Sequence, residues 1–252
     1  MEQIEGRNPV REALKARVQL DKLVLAKGSE RNLQDILAMA READISIEWQ
    51  TRAWLDEHSE TRAHQGVMAW RQPVEYVELP DLIASSYQKS PQPLIVVLDG
   101  VQDPHNLGSV MRTAEAAGAA GVVIPKRRAV GLTATVAKVS AGAVEHVPVA
   151  QVTNLSQTIT TLQEAGFWVV GADMAGENLH FEVDFTGPMA LIVGGEGKGL
   201  ARLTRDRCDL LVRLPMYGQI NSLNAAVAAA ILMYEVVRQR AVAAKALQGR
   251  DT

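Results

Sequence analysis

Polar and glycine residues collect at three points along the chain, each where an apolar run gives way to a helical one. The last is Pro215-Met216-Tyr217-Gly218-Gln219-Ile220-Asn221-Ser222-Leu223-Asn224, followed by an Ala-rich segment. Leu210 to Leu214 leads in as a short apolar strand, Pro215 stops it, and Gly218 frees a turn. Ser222 stands where the helix that follows should be capped. The first is Leu94-Ile95-Val96-Val97-Leu98-Asp99-Gly100, continued by Asp103-Pro104-His105-Asn106-Leu107-Gly108 and a helix carrying Arg112. The middle one is Met189-Ala190-Leu191-Ile192-Val193, continued by Gly194-Gly195-Glu196-Gly197-Lys198-Gly199-Leu200. Strand-to-helix junctions at the carboxyl edge of a parallel sheet are where α/β proteins take up ligands. Three of them meeting there would make one site.

Each candidate has a plain reading beside the functional one. The glycine loop at 194–199 suggests phosphate but fails both phosphate patterns. Lys198 is followed by Gly199 rather than Ser or Thr, and a dinucleotide fingerprint counted from Gly195 ends on Leu200. The loop can be a tight turn, yet Glu196 has no packing reason to be there. Asn106 and Ser222 can be ordinary helix caps. Arg112 can be a solvated helix charge, or it can mark a face that a ligand approaches among Ala114, Ala116 and Ala117. Asn224 falls in an apolar run where Ala would serve a helix better. Lys126-Arg127-Arg128 is either a solvated loop or a grip on phosphates. The five histidines show no metal-ligand spacing, and no metal is expected.

The elements that must position these residues follow from periodicity. Strands are predicted at 94–99, 121–124, 147–149, 167–171, 189–193 and 210–214, and helices at 106–117, 133–140, 155–165, 200–207 and 223–246. This alternation predicts a mostly parallel sheet covered on both faces. Residues 1–73 predict a small α+β domain. Its signals are a helix starting at Asn8-Pro9, strands at 23–26, 45–49 and 65–70, and a short helix capped by Thr51. Residues 74–93, with Ser85-Ser86-Tyr87-Gln88-Lys89-Ser90-Pro91-Gln92-Pro93, have the composition of a linker. That leaves 94–252 as the second domain.

The 252 residues are 47% hydrophobic, the balance of a globular protein, and the formal charge of −3 argues mildly against a general nucleic-acid binder. A single cysteine, Cys208, excludes an internal disulfide and fits a reducing compartment. No apolar signal segment opens the chain, and Glu235 and Arg238 interrupt the Ala-rich helix well short of the ~20 apolar residues of a membrane span. A cytoplasmic protein without membrane contact is expected.

Taken together, the three loops resemble the three motifs of the SpoU/TrmH RNA ribose methyltransferases, in the SPOUT class. Asp103 to Ala114 is similar to the first motif, Gly194 to Leu200 to the second, and Leu214-Pro215-Met216 with Ser222 to Ala228 to the third. Gly6-Arg7-Asn8-Pro9-Val10-Arg11-Glu12-Ala13-Leu14 and His64-Gln65-Gly66-Val67 are similar to the substrate-binding domain of the RlmB-like members. The chain departs mildly from the third motif, with Ala225-Ala226 where Val-Ser is frequent.

The resemblance implies a parallel α/β SPOUT domain whose C-terminal segment threads a loop as a trefoil knot, preceded by a small α+β RNA-binding domain. It implies a homodimer with the active site at the interface. S-adenosylmethionine would donate a methyl group to a ribose 2′-hydroxyl, in RlmB-like members of a guanosine in large-subunit ribosomal RNA. A transfer RNA target is the near alternative, and a non-catalytic RNA-binding protein the alternative of another class. By matching positions, Asn106, Arg112, Glu196, Ser222 and Asn224 are the polar catalytic set, and Gly194, Leu214 and Leu223 hold the cofactor. A guanidinium is a poor base, its pKa lying above ~12, so Arg112 is expected to grip a phosphate and acidify the neighbouring hydroxyl.

Overall fold

Runs of four to six apolar residues bounded by glycine, proline or asparagine make strands, and here they make two sheets. The computed structural model describes residues 1–15, 18–71, 75–195, 199–219 and 222–248, in two units, Met1–Glu75 and Tyr76–Thr252.

The first unit is a four-stranded sheet with flanking helices. Its elements are β1 (Glu2–Glu5), α1 (Arg7–Lys15), β2 (Lys22–Ala26), α2 (Gln34–Glu42), β3 (Ser46–Gln50), α3 (Arg52–His58) and β4 (Val67–Arg71). The strand order is β1-β4-β2-β3, with β4 antiparallel to both neighbours and β2 parallel to β3. Val24 and Ala26 on one face of β2 pack with Leu55 of α3 and Met68 of β4. Leu23 and Leu25 point to the opposite face and are buried as well. Thr51 caps α3 as expected, its hydroxyl accepting from the Trp54 N–H at 3.2 Å. Asn8 does not cap α1: the helix already includes it, and its side chain accepts from Arg11. The edge strand β1 has no alternating apolar pattern, and periodicity does not reveal it.

The second unit is a seven-stranded, all-parallel sheet. It opens on α4 (Leu79–Lys89) and runs β5 (Leu94–Asp99), α5 (Pro104–Ala116), β6 (Gly121–Pro125), α6 (Ala134–Val139), β7 (Val149–Val152), α7 (Leu155–Glu164) and β8 (Trp168–Ala172). It continues through β9 (Asn178–Leu179), β10 (Met189–Gly194), α8 (Arg202–Arg205), β11 (Leu210–Arg213) and α9 (Ala225–Gln248). The order is β7-β6-β5-β10-β8-β11-β9. The mixed architecture and the parallel sheet are as the alternation predicts. Five of the six expected strands coincide with β5, β6, β8, β10 and β11 to within a residue at each end.

The expected linker 74–93 is a different matter. Most of it is α4, and Leu82 is buried in the main core with Ile95, Val97, Ala190, Ile192 and the α7 residues Ile159 and Leu162. Its serines and Lys89 give it a linker's composition, but Leu82 and Ser86, four residues apart, are the buried side of a helix. Helix α9 packs against α5 and β10. Gln239 locks it there: its Nε2 donates to the Val183 carbonyl and its Oε1 accepts from the Phe185 N–H, both at 2.8 Å.

From β5 the chain winds outward through β6 to β7, and from β10 it leads to the other side through β11. The winding therefore reverses between the neighbours β5 and β10. Such a switch point opens a crevice beyond the carboxyl ends of the strands. In the register of this pair Gly194 stands opposite Asp99.

Candidate functional site

The first motif is built from the end of β5. Gly100 takes a left-handed φ of +80°, and the chain turns into α5. Asp103 caps that helix, accepting the His105 N–H at 2.9 Å, and Pro104 fills its first turn. Asn106 is thus not a cap. It lies inside α5, 7% exposed, on the face turned to the protein. Arg112 is six positions on, which at 3.6 residues per turn is a different face, and its side chain is exposed. The structure does not bring Asn106 and Arg112 together.

The second motif folds back against the first. The Gly195 N–H donates to the Asp99 carbonyl at 2.9 Å, and the Asp99 carboxylate accepts from the Ala201 N–H at 2.8 Å. Gly195 and Gly199 close the loop through an isolated bridge. The glycines are required by this closure. A Cβ at residue 194 would stand 2.2 Å from the Gly199 carbonyl carbon, and one at 195 would stand 2.3 Å from the Gly100 oxygen. The close approach at Gly194 is therefore to the loop's own backbone. Glu196 lies outside the described residues, with Gly197 and Lys198.

The third motif runs from β11 to α9. Ser222 is exposed and precedes the helix by three residues. Asn224 is the cap: its Oδ1 accepts from the Ala226 N–H at 2.9 Å and the Val227 N–H at 3.3 Å. Its Nδ2 donates to Asn106 Oδ1 at 2.9 Å. Asn224, the polar residue in an apolar run, and Asn106, the candidate cap, are thus partners.

The loops of the second and third motifs enclose a cavity of about 330 Å³ at the carboxyl ends of β8, β10 and β11. Gly194, Leu214, Ser222 and Leu223 all line it, so four of the eight expected site residues share one space. Ala225 and Ala228 of α9 floor it with small side chains. The wall also carries Asp173, Arg205 and Arg213, which sequence reasoning missed. Asp173 follows the apolar strand β8 directly, so the carboxyl-end rule applied there would have found it. Cys208 packs against Gly171 behind this wall, and burial, with Asp209, Asp99 and Asp173 nearby, pushes its thiol up to about 12. Among the described residues no three His, Cys, Asp or Glu side chains form a metal-ligand group, and no helix is long and apolar enough to cross a membrane.

Comparison with known proteins matches residues 93–234 to the SpoU rRNA methylase family and residues 3–77 to the RNA 2′-O ribose methyltransferase substrate-binding domain. The Bacillus subtilis (strain 168) protein YacO, assigned to the TrmH family of tRNA/rRNA methyltransferases, is 49% identical over 93% of this chain and 94% of its own. Among solved structures, the SpoU methyltransferase AviRb of Streptomyces viridochromogenes, in complex with the cofactor AdoMet, superposes with a TM-score of 0.69 at 28% identity. That match covers 94% of this chain and 89% of AviRb. An AdoMet-bound rRNA methyltransferase of Sinorhizobium meliloti gives a TM-score of 0.65 at 26% identity, covering 94% and 86% of the two chains. The three motifs, the parallel sheet that carries them and the substrate-binding unit in front of it lead to one conclusion: the chain belongs to the SpoU rRNA methylase family.

Proposed function

We propose that the chain transfers a methyl group from S-adenosylmethionine to a ribose 2′-hydroxyl of RNA, and that its target is a guanosine of large-subunit ribosomal RNA. The observation that carries this reading is the cavity at the carboxyl ends of β8, β10 and β11, walled by the second and third motifs beside the Asn106–Asn224 pair. The fit to a nucleoside cofactor is chemical. Leu214 and Leu223 are aliphatic and offer a slot for a flat base, and the main-chain groups of Gly194 and its neighbours offer donors and acceptors for its edge. When bound, S-adenosylmethionine supplies a methyl group on a positively charged sulfur.

The protein's own part is to hold the hydroxyl in line and to ease loss of its proton. Arg112, exposed on α5, is free to take the phosphate next to the target ribose and so favour the ionised hydroxyl. Asn106 and Asn224 orient the ribose, with Ser222 at the cavity rim and Glu196 completing the polar set. The first unit selects the RNA. A C-terminal segment threaded through a loop as a trefoil knot is consistent with Leu214, Leu223 and Gly199 lining one cavity. The reading places the enzyme in the cytoplasm with its RNA.

The experiment is incubation with labelled S-adenosylmethionine and separate ribosomal and transfer RNA transcripts, then mapping of the labelled nucleotide. Label on a 2′-O-methylguanosine of the large-subunit RNA is expected. Label on transfer RNA alone would move the target. No label on either, with RNA still bound, would make the chain a binding protein. Arg112→Ala should lose methyl transfer with its melting temperature unchanged.

A further inference from the structure

We propose that Asp173 is the acceptor for the ribose hydroxyls of the nucleoside cofactor, an inference that rests on the methyl-donor reading above. Asp173 directly follows β8 and is pinned by its backbone: its N–H donates to the Val212 carbonyl at 2.9 Å and its carbonyl accepts from the Gly176 N–H at 3.0 Å. The side chain is 10% exposed and faces the cavity. One oxygen, Oδ1, accepts from the Ala175 N–H at 2.9 Å. The other, Oδ2, stands 3.2 Å from Arg205 Nε, yet that buried nitrogen makes no hydrogen bond. The guanidinium holds the carboxylate by charge and leaves hydrogen-bonding capacity on Oδ2 unspent. A mostly buried carboxylate with unused acceptors is costly until a donor arrives.

The donor is defined by the neighbourhood. Val212, bonded to the Asp173 N–H, is two residues before Leu214, a wall of the adenine slot. With a base in that slot, the group attached directly to it would share the cavity with Asp173. Gly199, on the facing loop, has no side chain; a Cβ there would stand 3.7 Å from Oδ2, in contact with it, so the glycine leaves that side of the carboxylate clear for a donor. A ribose offers two adjacent O–H donors, and a carboxylate offers the complementary pair of acceptors.

The test is calorimetric titration of the full chain with S-adenosylmethionine, with 5′-methylthioadenosine, which lacks the amino-acid tail, and with the 2′,3′-dideoxy form of the latter. The unmodified protein should bind the dideoxy form roughly 10- to 100-fold more weakly than its ribose parent. Asp173→Asn should weaken both ribose ligands by a similar factor and leave the dideoxy affinity unchanged. Equal affinity of the unmodified protein for ribose and dideoxy forms overturns the proposal even if the variant does not fold. Weakening of S-adenosylmethionine alone also overturns it, since the carboxylate would then serve the ammonium of the methionyl tail. Failure of the unmodified protein to bind S-adenosylmethionine at all removes the methyl-donor reading itself, a different result from either.

Discussion

Asn224 and Asn106, 118 residues apart, share a hydrogen bond of 2.9 Å, and the same Asn224 side chain caps α9. One amide therefore starts the C-terminal helix and ties it to the first motif. Asn224→Ala should lose the cap, worth about 1 kcal/mol, and the bond, worth about 1 kcal/mol more. Asn224→Asp keeps the cap oxygen but loses the amide donor to Asn106, so this variant should lie between the parent and Asn224→Ala in stability. A double-mutant cycle of Asn106→Ala and Asn224→Ala by urea denaturation should give a coupling of about 0.5–1.5 kcal/mol. Additive losses would show two independent amides.

That bond also marks how far the sequence can be read. Buried parallel strands are continuous apolar runs, so β5 and β10 are legible from Leu94 to Leu98 and from Met189 to Val193. Helix starts are less so. Ser222 and Asn224 are both good caps, and only the geometry of α9 chooses the second. The approach at Gly194 is visible as a glycine, but that its neighbour is Gly199 rather than a ligand depends on the loop closing on itself. Asp173 and Arg205 lie far apart in sequence and meet only because β8 and α8 end at one cavity. Helix α4 was hidden by its polar outer face.

The first unit should show an acid-sensitive tether. Burial alone would raise the Glu5 pKa, but the bonds it accepts from Ser59, Thr61 and the Glu60 N–H outweigh this and lower it from 4.5 to about 2. A carboxylate depressed in the folded state contributes stability that is present above its unfolded value and lost as pH falls through the folded one. The loss should thus run from about 4.5 down to about 2. Glu5→Gln should be less stable than the parent at neutral pH and converge with it across that window. Tryptophan fluorescence reports it, since Trp49, Trp54 and Trp70 lie in this unit. A constant difference across the window would remove Glu5 as the cause.

Lys126, Arg127 and Arg128 are exposed on the loop after β6, and that loop lies against the first motif. The Val130 N–H donates to the Val101 carbonyl at 3.0 Å, and Gln102 Nε2 donates to the Arg128 carbonyl at 3.5 Å. The backbone is thus fixed while the charges face solvent. Arg128 has a left-handed φ of 58°, so Gly is its neutral replacement there and Ala is not. Lys126→Ala with Arg127→Ala and Arg128→Gly should weaken RNA binding and reduce the slope of log affinity against log salt by about 2, as loss of three phosphate contacts requires. Filter binding over a salt series measures it; an unchanged slope would mean that the RNA passes elsewhere.

Helix α9 carries two apolar sides. Ala229, Leu232, Met233 and Val236 are buried against the sheet, whereas Val227, Ile231 and Tyr234 are 47%, 37% and 50% exposed. The exposed set repeats at four and three residues, a stripe that a second helix would cover. Leu223, 40% exposed and just ahead of the helix cap, adjoins that stripe in sequence and also lines the cavity. A second copy seated on the stripe would therefore shield the cavity's edge, which couples assembly to cofactor binding. Light scattering at micromolar concentration should give a dimer. Val227→Glu with Ile231→Glu should give a folded monomer, because both side chains already face outward and neither substitution disturbs the core. The same monomer should bind S-adenosylmethionine more weakly by calorimetry, although no residue in contact with the cavity has changed. A monomeric parent would leave the stripe unexplained, and a monomeric variant with full cofactor affinity would separate the interface from the site.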